Sequence, residues 1–171
     1  MLRHRASAFI AAAAAVLAVA CSSGQPAAQT ADQAPAGAEA PQSLPTVALT
    51  VHTAKGPANF RVQVADTEAT REKGLMFVRS MPDDAGMIFD FKTPQPVAFW
   101  MRNTYIPLDL LFVGADGRVV NIAKRAQPFD ERLIPSAGPI RAVIEINGGL
   151  AEKLGIQPGD RVTDERIFPA R

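Results

Sequence analysis

Polar and aromatic side chains are concentrated in one short stretch of the chain, FWMRNTYIPLDLLF, residues 99–112. An indole can stack on a ring, while guanidinium, amide, hydroxyl and carboxylate groups can orient a polar partner. The stretch therefore predicts a binding site for a small polar, ring-shaped or carboxylated ligand, including a carbohydrate. Its candidate residues are Trp100, Arg102, Asn103, Thr104 and Asp109, with Arg71 from a preceding segment as a further member.

The same stretch also has a purely structural interpretation. Trp100 would then belong to the core, and Asn103 and Thr104 would form a turn in which their side chains bond nearby main-chain groups. Arg71 would be solvated instead of pairing with acidic residues of the site. The exposure of Trp100 separates the two interpretations, because a binding site requires a concave surface at the indole.

Two acidic residues are candidates for catalysis, Asp109 in LDLL and Glu145 in VIEI. Aliphatic neighbours are expected to raise the pKa of a buried carboxyl group, and two such groups can act as an acid–base pair. The pair would suit a hydrolase or lyase acting on a saccharide, which requires the carboxyl groups to lie about 5–10 Å apart. Alternatively, Asp109 accepts hydrogen bonds from main-chain N–H groups, and Glu145 faces water or pairs with Arg141.

Other common chemistries lack their residues. The only cysteine, Cys21, precedes the folded part, and His52 is the only histidine within it, so neither a cysteine nucleophile nor a Ser-His-acid triad is indicated. The chain has no glycine-rich phosphate-binding motif and no run of zinc ligands, and we predict no metal site and no cofactor. Four methionines are interpreted as flexible core fillers in preference to Cu(I) ligands: Met76, Met81, Met87 and Met101.

The beginning of the chain has the composition of a secretory signal. Arg3 and Arg5 precede the apolar run AFIAAAAAVLAVA, and small residues stand immediately before Cys21. The run is too short and too rich in alanine for a membrane span. Residues 1–20 are therefore predicted to be a signal peptide.

Cys21 resembles the lipidated cysteine of bacterial lipoproteins, which becomes the new N-terminus and carries the acyl chains. Ala18 stands where that pattern usually has leucine, which leaves plain secretion as the alternative. Ser22 follows the cysteine in place of the aspartate that argues for retention at the inner membrane. The resemblance implies an exported protein anchored by lipid at the periplasmic face of a bacterial membrane, with the outer membrane favoured over the inner one.

A composition change separates this N-terminal region from one domain. Residues 22–45 are dominated by Ala, Pro, Gln, Gly and Ser, which cannot bury enough apolar surface to offset the entropy of ordering. We predict that residues 21–45 form a disordered tether and that residues 46–171 form a single domain. Removal of residues 1–20 changes the formal charge from +1 to −1. With both signs interspersed, the domain offers no basic surface for nucleic acid.

Short segments with alternating or continuous apolar residues predict a mainly β domain. The predicted strands are TVALTVHT, NFRVQVA, MIFDF, VAFWM, LDLLFVG, RVVNIAKRA, IRAVIEI and RVTDERIF, and the predicted short helices are TEATREKGLMFV and NGGLAEKLG. Asp116-Gly117 predicts a tight hairpin turn between LDLLFVG and RVVNIAKRA. The fold class that follows is α+β, mainly β, with a small curled, barrel-like sheet of about seven or eight strands and two short helices.

The motifs GLM, GM.F, FWM.NT..PLD and G...GD.V, in this order, resemble the bacterial and archaeal domain of unknown function family 192. The resemblance extends from about Phe60 to Phe168 and covers nearly the whole predicted domain. It implies one compact β-rich domain that is often exported, and it implies no particular reaction. The family often has lysine at position 102, where Arg102 retains the positive charge.

From these observations we expect an exported, lipid-anchored envelope protein that binds a small polar or carbohydrate-like ligand or an envelope component. A saccharide hydrolase or lyase using Asp109 and Glu145 is the first alternative, and a structural envelope lipoprotein without a ligand is the second. The sequence identifies neither the ligand nor a partner protein, and it leaves the oligomeric state open.

Overall fold

The computed structural model describes residues 40–170. The predicted signal peptide, Cys21 and most of the predicted tether lie outside the described residues. Residues 40–170 form a mainly β, α+β domain, which confirms the predicted fold class. Its elements are β1 (Thr46–Thr53), β2 (Gly56–Ala65), α1 (Glu68–Lys73), β3 (Ala85–Gln95), β4 (Ala98–Phe99), β5 (Leu108–Val113), β6 (Val119–Ala126), β7 (Ile134–Pro135), β8 (Ile140–Asn147), α2 (Leu150–Leu154) and β9 (Arg161–Asp164).

Seven strands form one curled sheet in the order β6-β5-β8-β3-β2-β1-β9, and β4 pairs with β7 in a small second sheet. Within the main sheet β2 and β3 are parallel, and the other neighbouring strands are antiparallel. The two edges of the sheet meet at a bridge between Arg118 and Arg161. There the N–H of Val162 donates to the carbonyl of Gly117 at 2.7 Å. The predicted curled sheet is therefore confirmed.

The central strands β3, β5 and β8 are buried on both faces. One apolar cluster contains residues from all seven strands and fills the inside of the curl, with Ile88, Leu111 and Ile144 at its centre. A second cluster lies on the outer face of the central strands and includes Phe89, Phe112 and Val143. Half-buried apolar side chains cover this outer cluster: Phe91 comes from β3, Phe99 and Ile134 from the small second sheet, and Val78, Val97 and Ile106 from the segments between strands. Side chains on the outer face of β3 and β8 thus lie beneath α1 and these segments.

Local signals explain where the helices end. Thr67 caps the start of α1, because its side chain accepts a hydrogen bond from the N–H of Thr70. In return, the hydroxyl of Thr70 accepts a hydrogen bond from the N–H of Thr67. Gly74 ends the helix with φ +49°, so α1 is shorter than the predicted segment TEATREKGLMFV. In α2, Gly155 ends the helix in the left-handed conformation, as NGGLAEKLG predicts.

Some predicted strands have other bounds in the structure: RVTDERIF is a strand only at Arg161–Asp164, and β3 continues beyond MIFDF to Gln95. The segment VAFWM is a strand only at Ala98–Phe99, because its partner β7 has just two residues, and the chain turns after Phe99. β7 lies within QPFDERLIPSAGP, residues 127–139, where the prolines and the glycine predict a loop. The predicted hairpin of β5 and β6 is confirmed, with Val113 paired to Val119 beside the Asp-Gly turn.

The methionines occupy packing positions on the outer face of the sheet. Met87 and Met101 are completely buried in the outer cluster, and Met81 packs against it. Met76 follows α1 and lines an open pocket. The burial of Met87 and Met101 fits the interpretation of these residues as core fillers.

Candidate functional site

A pocket of about 420 Å³ opens between α1 and the segment of residues 98–104, on the outer face of the sheet. α1 and the residues that follow it form one wall, and the segment after β4 forms the other. Strands β3 and β8 contribute the floor. The lining consists of Glu68, Arg71, Glu72, Lys73, Gly74, Leu75, Met76, Phe89, Phe91, Ala98, Phe99, Trp100, Arg102, Thr104 and Glu145.

Trp100 stands at the mouth of this pocket because its neighbours are fixed in the core. The ring of Phe99 packs edge-on against Phe89, with 5.0 Å between centroids, and Met101 is completely buried. The N–H of Met101 donates to the carbonyl of Asp130 at 2.7 Å. Trp100 lies between these two anchors and is 40% exposed. The indole is therefore outside the core, contrary to the structural interpretation of this stretch.

Two guanidinium groups border the pocket, each beside an aromatic ring. Arg102 lies 5.5 Å from the centroid of the Trp100 ring, and Arg71 lies 5.3 Å from that of Phe91. Both distances are in the range of cation–π attraction. Arg71 also donates to the main-chain oxygen of Asp90 at 2.9 Å. Arg71 is thus oriented by a ring and a carbonyl oxygen and presents its charge at the pocket wall.

Glu145 forms part of the pocket floor and is 4% exposed. Burial raises the pKa of its carboxyl group to about 8, because the low-dielectric surroundings disfavour the charged form. Within the part of the chain that the structure describes, no hydrogen bond or opposite charge offsets this effect on the pKa of Glu145. Near neutral pH the carboxyl group is therefore mainly protonated, and it can both donate and accept a hydrogen bond.

The backbone of Glu145 is held against β3 by close packing. Gly86 in β3 leaves no space for a side chain, since an added Cβ would lie 2.5 Å from the main-chain oxygen of Glu145. Met87 is paired with Glu145 in the strand register.

The two alternatives for Glu145 do not fit the structure: its side chain is buried and does not face open water, and Arg141 contacts Asp90 instead.

Asp109 lies apart from this pocket and is completely buried. One carboxylate oxygen accepts the N–H of Arg125 at 2.7 Å, and the other accepts those of Gly149 at 2.9 Å and Ala151 at 2.8 Å. These contacts tie β5 to β6 and to the start of α2. The structure therefore fits the alternative interpretation, in which Asp109 accepts hydrogen bonds from main-chain N–H groups.

The prediction that Asp109 and Glu145 form an acid–base pair is therefore wrong. In the register of β5 and β8, Glu145 is opposite Leu110, whereas Asp109 is opposite Ile146. Successive residues of a strand point to opposite faces, so the two carboxyl groups are on opposite sides of the sheet. For the same reason Asp109 cannot join Trp100 and Arg102 in one ligand site, although it is close to them in sequence.

Asn103 and Thr104 lie at the turn after Trp100. Thr104 is buried and lines the pocket, where its hydroxyl contacts the main-chain oxygen of Arg102 at 3.3 Å. Asn103 has φ +54°. Its main-chain oxygen accepts a hydrogen bond from the N–H of Phe77, with 2.8 Å between nitrogen and oxygen. Its side chain lines a second depression of about 320 Å³, which adjoins the first. The structure thus brings five of the predicted ligand-binding residues to one groove: Arg71, Trp100, Arg102, Asn103 and Thr104.

Several other residues line this groove that the sequence alone did not indicate as site residues. Glu68, Glu72 and Lys73 come from α1, and Phe91 and Phe99 contribute aromatic surface. The spacing of four residues places Glu68 and Glu72 on one side of the helix. This spacing is the sequence signal that could have indicated that they face a common surface. Among residues 40–170, no three His, Cys, Asp or Glu side chains come together as they would around a metal ion. No helix in that range has the length and apolar composition needed to cross a membrane.

Comparison with other proteins identifies relatives of this domain. The family model DUF192, described as Uncharacterized ACR, matches residues 50–163. A solved structure described as a protein of unknown function from Novosphingobium aromaticivorans is 51% identical, with a TM-score of 0.70, and the match covers 74% of this chain and 94% of that one. Another, described as a "putative transcription regulator" from Sinorhizobium meliloti, is 40% identical, with a TM-score of 0.70 and coverage of 72% and 96%. No curated protein matches the chain.

Proposed function

The chain belongs to the DUF192 family, and we propose that it is an exported, lipid-anchored envelope protein that binds a small polar or carbohydrate-like ligand. The observation that carries the binding proposal is the open pocket with Trp100 at its mouth and the carboxyl group of Glu145 at its floor. A buried carboxyl group without a partner is costly, and a ligand that bonds to it recovers part of that cost.

The lining of the pocket matches the chemistry of a ring that carries hydroxyl or carboxylate groups. The exposed face of Trp100 offers a surface for stacking, which suits a flat sugar or aromatic ring. Arg71 and Arg102 supply N–H donors at the rim. The protonated Glu145 supplies one donor and one acceptor at the floor. A volume of about 420 Å³ falls within the range of roughly 300–1,000 Å³ typical of small-molecule sites.

The alternatives have less support from this geometry. A saccharide hydrolase based on Asp109 and Glu145 would need the two carboxyl groups to face one ligand, and they lie on opposite faces of the sheet. A purely structural lipoprotein would be expected to enclose Trp100 completely, whereas the indole is 40% exposed.

Binding is tested by thermal denaturation of the purified protein with pools of sugars, sugar acids and cell-wall fragments. A ligand at about 100 times its dissociation constant should stabilise the folded state by about 2.7 kcal/mol and raise the melting temperature by several degrees. Trp100→Ala should abolish this rise. Phe129→Ala is the matched control, because Phe129 is an exposed aromatic residue that lines neither depression. An equal rise in the Trp100→Ala variant would reject the pocket as the site.

The proposed anchor rests on Cys21 at the end of the predicted signal peptide. In the native host, the wild-type chain should incorporate labelled palmitate and sediment with membranes. Cys21→Ser should remove the label and release the protein from the membrane fraction. Ser22→Ala is the control next to it and should leave both properties unchanged. Membrane association of Cys21→Ser at the wild-type level would contradict lipid anchoring.

A further inference from the structure

The groove consists of two adjoining depressions that share one dividing wall. The second depression, of about 320 Å³, adds Ala69, Phe77 and Asn103 to residues that it has in common with the first. The shared residues are Glu72, Lys73, Met76, Trp100 and Arg102. From this arrangement we propose that the ligand is a carboxylated disaccharide, with one ring in each depression and Trp100 and Arg102 contacting both. This inference rests on the proposed function and specifies the class of its ligand.

The sizes of the two depressions favour a ligand with two units. Each volume, about 420 and 320 Å³, lies near the lower end of the range for small-molecule pockets. A single sugar ring is smaller than either depression, and when it is placed in one it leaves the other to solvent. A disaccharide extends across the shared wall and brings the exposed indole of Trp100 against its glycosidic linkage region.

The charges around the groove favour a carboxylate on the ligand. Three cationic side chains line the first depression, Arg71, Lys73 and Arg102. Glu68 and Glu72 are the anionic groups of its wall, since Glu145 is mainly protonated near neutral pH. The groove therefore has an excess of positive charge. Arg102 borders both depressions, and its guanidinium group is suited to hold a carboxylate at their junction.

Asn103 distinguishes the second depression from the first. Its main-chain oxygen is occupied by the N–H of Phe77, and its side-chain nitrogen lies 3.9 Å from the sulfur of Met76, which is a weak acceptor. The amide can therefore bond to the hydroxyl or acetamido groups of a second ring. Asparagine adopts a positive φ more readily than most residues, so the φ of +54° at Asn103 has little conformational cost.

Isothermal titration calorimetry of the purified protein tests this inference with three probes. N-acetylmuramic acid is a carboxylated monosaccharide, N-acetylglucosaminyl-N-acetylmuramic acid is the corresponding disaccharide, and diacetylchitobiose is a neutral disaccharide. The carboxylated disaccharide should bind at least about tenfold more tightly than either of the other two, since one additional charge-assisted hydrogen bond or ring contact accounts for such a factor.

Two variants test whether Asn103 and Arg102 cause the preference for the carboxylated disaccharide. Asn103→Gly removes the amide and keeps the positive φ, so the fold is retained. It should lower disaccharide affinity about tenfold and lower monosaccharide affinity by a clearly smaller factor. Arg102→Gln should remove the preference for the carboxylated disaccharide over the neutral one. Circular dichroism and melting temperature verify that both variants fold.

The outcomes separate this inference from the proposed function. Equal affinity for the carboxylated monosaccharide and disaccharide, both lost in Trp100→Ala, would overturn the two-ring ligand and leave the single-pocket function standing. Equal affinity for the charged and neutral disaccharides would overturn the role of the carboxylate. Binding of none of the three probes would overturn the carboxylated disaccharide as the ligand, and the thermal denaturation with wider pools would then decide on the proposed function.

Discussion

Replacement of Asp109 by alanine is expected to lower the free energy of unfolding by about 3 kcal/mol or more, since three main-chain N–H groups lose their acceptor and each loss costs at least about 1 kcal/mol. The carboxylate accepts three main-chain N–H groups, from Arg125, Gly149 and Ala151, at 2.7–2.9 Å. No other side chain of the described residues accepts hydrogen bonds from β6 and from the start of α2 together. Urea denaturation at pH 7 measures the loss.

The matched control is Asp116→Ala in the hairpin turn between β5 and β6. Asp116 is exposed and accepts a single main-chain N–H, from Arg118 at 3.1 Å. Its replacement should cost about 1 kcal/mol or less. If Asp109→Ala were no more destabilising than this control and abolished ligand binding instead, Asp109 would be a ligand-binding residue and our structural assignment would be wrong.

Replacement of Glu145 by glutamine is expected to remove a large pH dependence of stability. Burial raises the pKa of this carboxyl group from 4.5 to about 8 in the folded state. Between these pH values the unfolded chain releases a proton that the folded protein retains, so the wild type loses stability as the pH rises through this window. The full loss is roughly 3–5 kcal/mol. Glutamine has nearly the same shape and does not ionise.

Chemical denaturation of both proteins at pH 5 and pH 8 measures this effect. The variant should be more stable than the wild type at pH 8 by a few kcal/mol, and the advantage should largely disappear at pH 5. Other titrating groups are common to both proteins and cancel in the difference. Parallel stability profiles for the two proteins across this pH range would show that Glu145 ionises normally and that its carboxyl group is solvated.

Much of the sheet could be predicted from the sequence because its signals are local. Alternation marks β2, where Phe60, Val62 and Val64 face the core, and the Asp-Gly turn marks the β5–β6 hairpin. The short length of β4 within VAFWM and the existence of β7 carry no such signal, since the pairing of these two strands joins segments about 35 residues apart.

The candidate site could be predicted only in part, because strand register decides which face a residue occupies. Trp100, Arg102 and Asn103 are close in sequence and remain close in the groove. Asp109 is nearly as close in sequence, but it points to the other face of the sheet, toward N–H groups of α2 some 40 residues later. Glu145 reaches the groove through the pairing of β8 with β3 and β5, which alternation within one strand does not reveal.

Our claim that a ligand binds in the pocket between α1 and residues 98–104 can be tested by the fluorescence of Trp100. This residue is the only tryptophan of the chain, so its emission reports on the mouth of the pocket alone. Titration with a ligand found by thermal denaturation should change the emission saturably, with a midpoint equal to the calorimetric dissociation constant. Calorimetric binding that leaves the emission of Trp100 unchanged throughout the titration would contradict the claim.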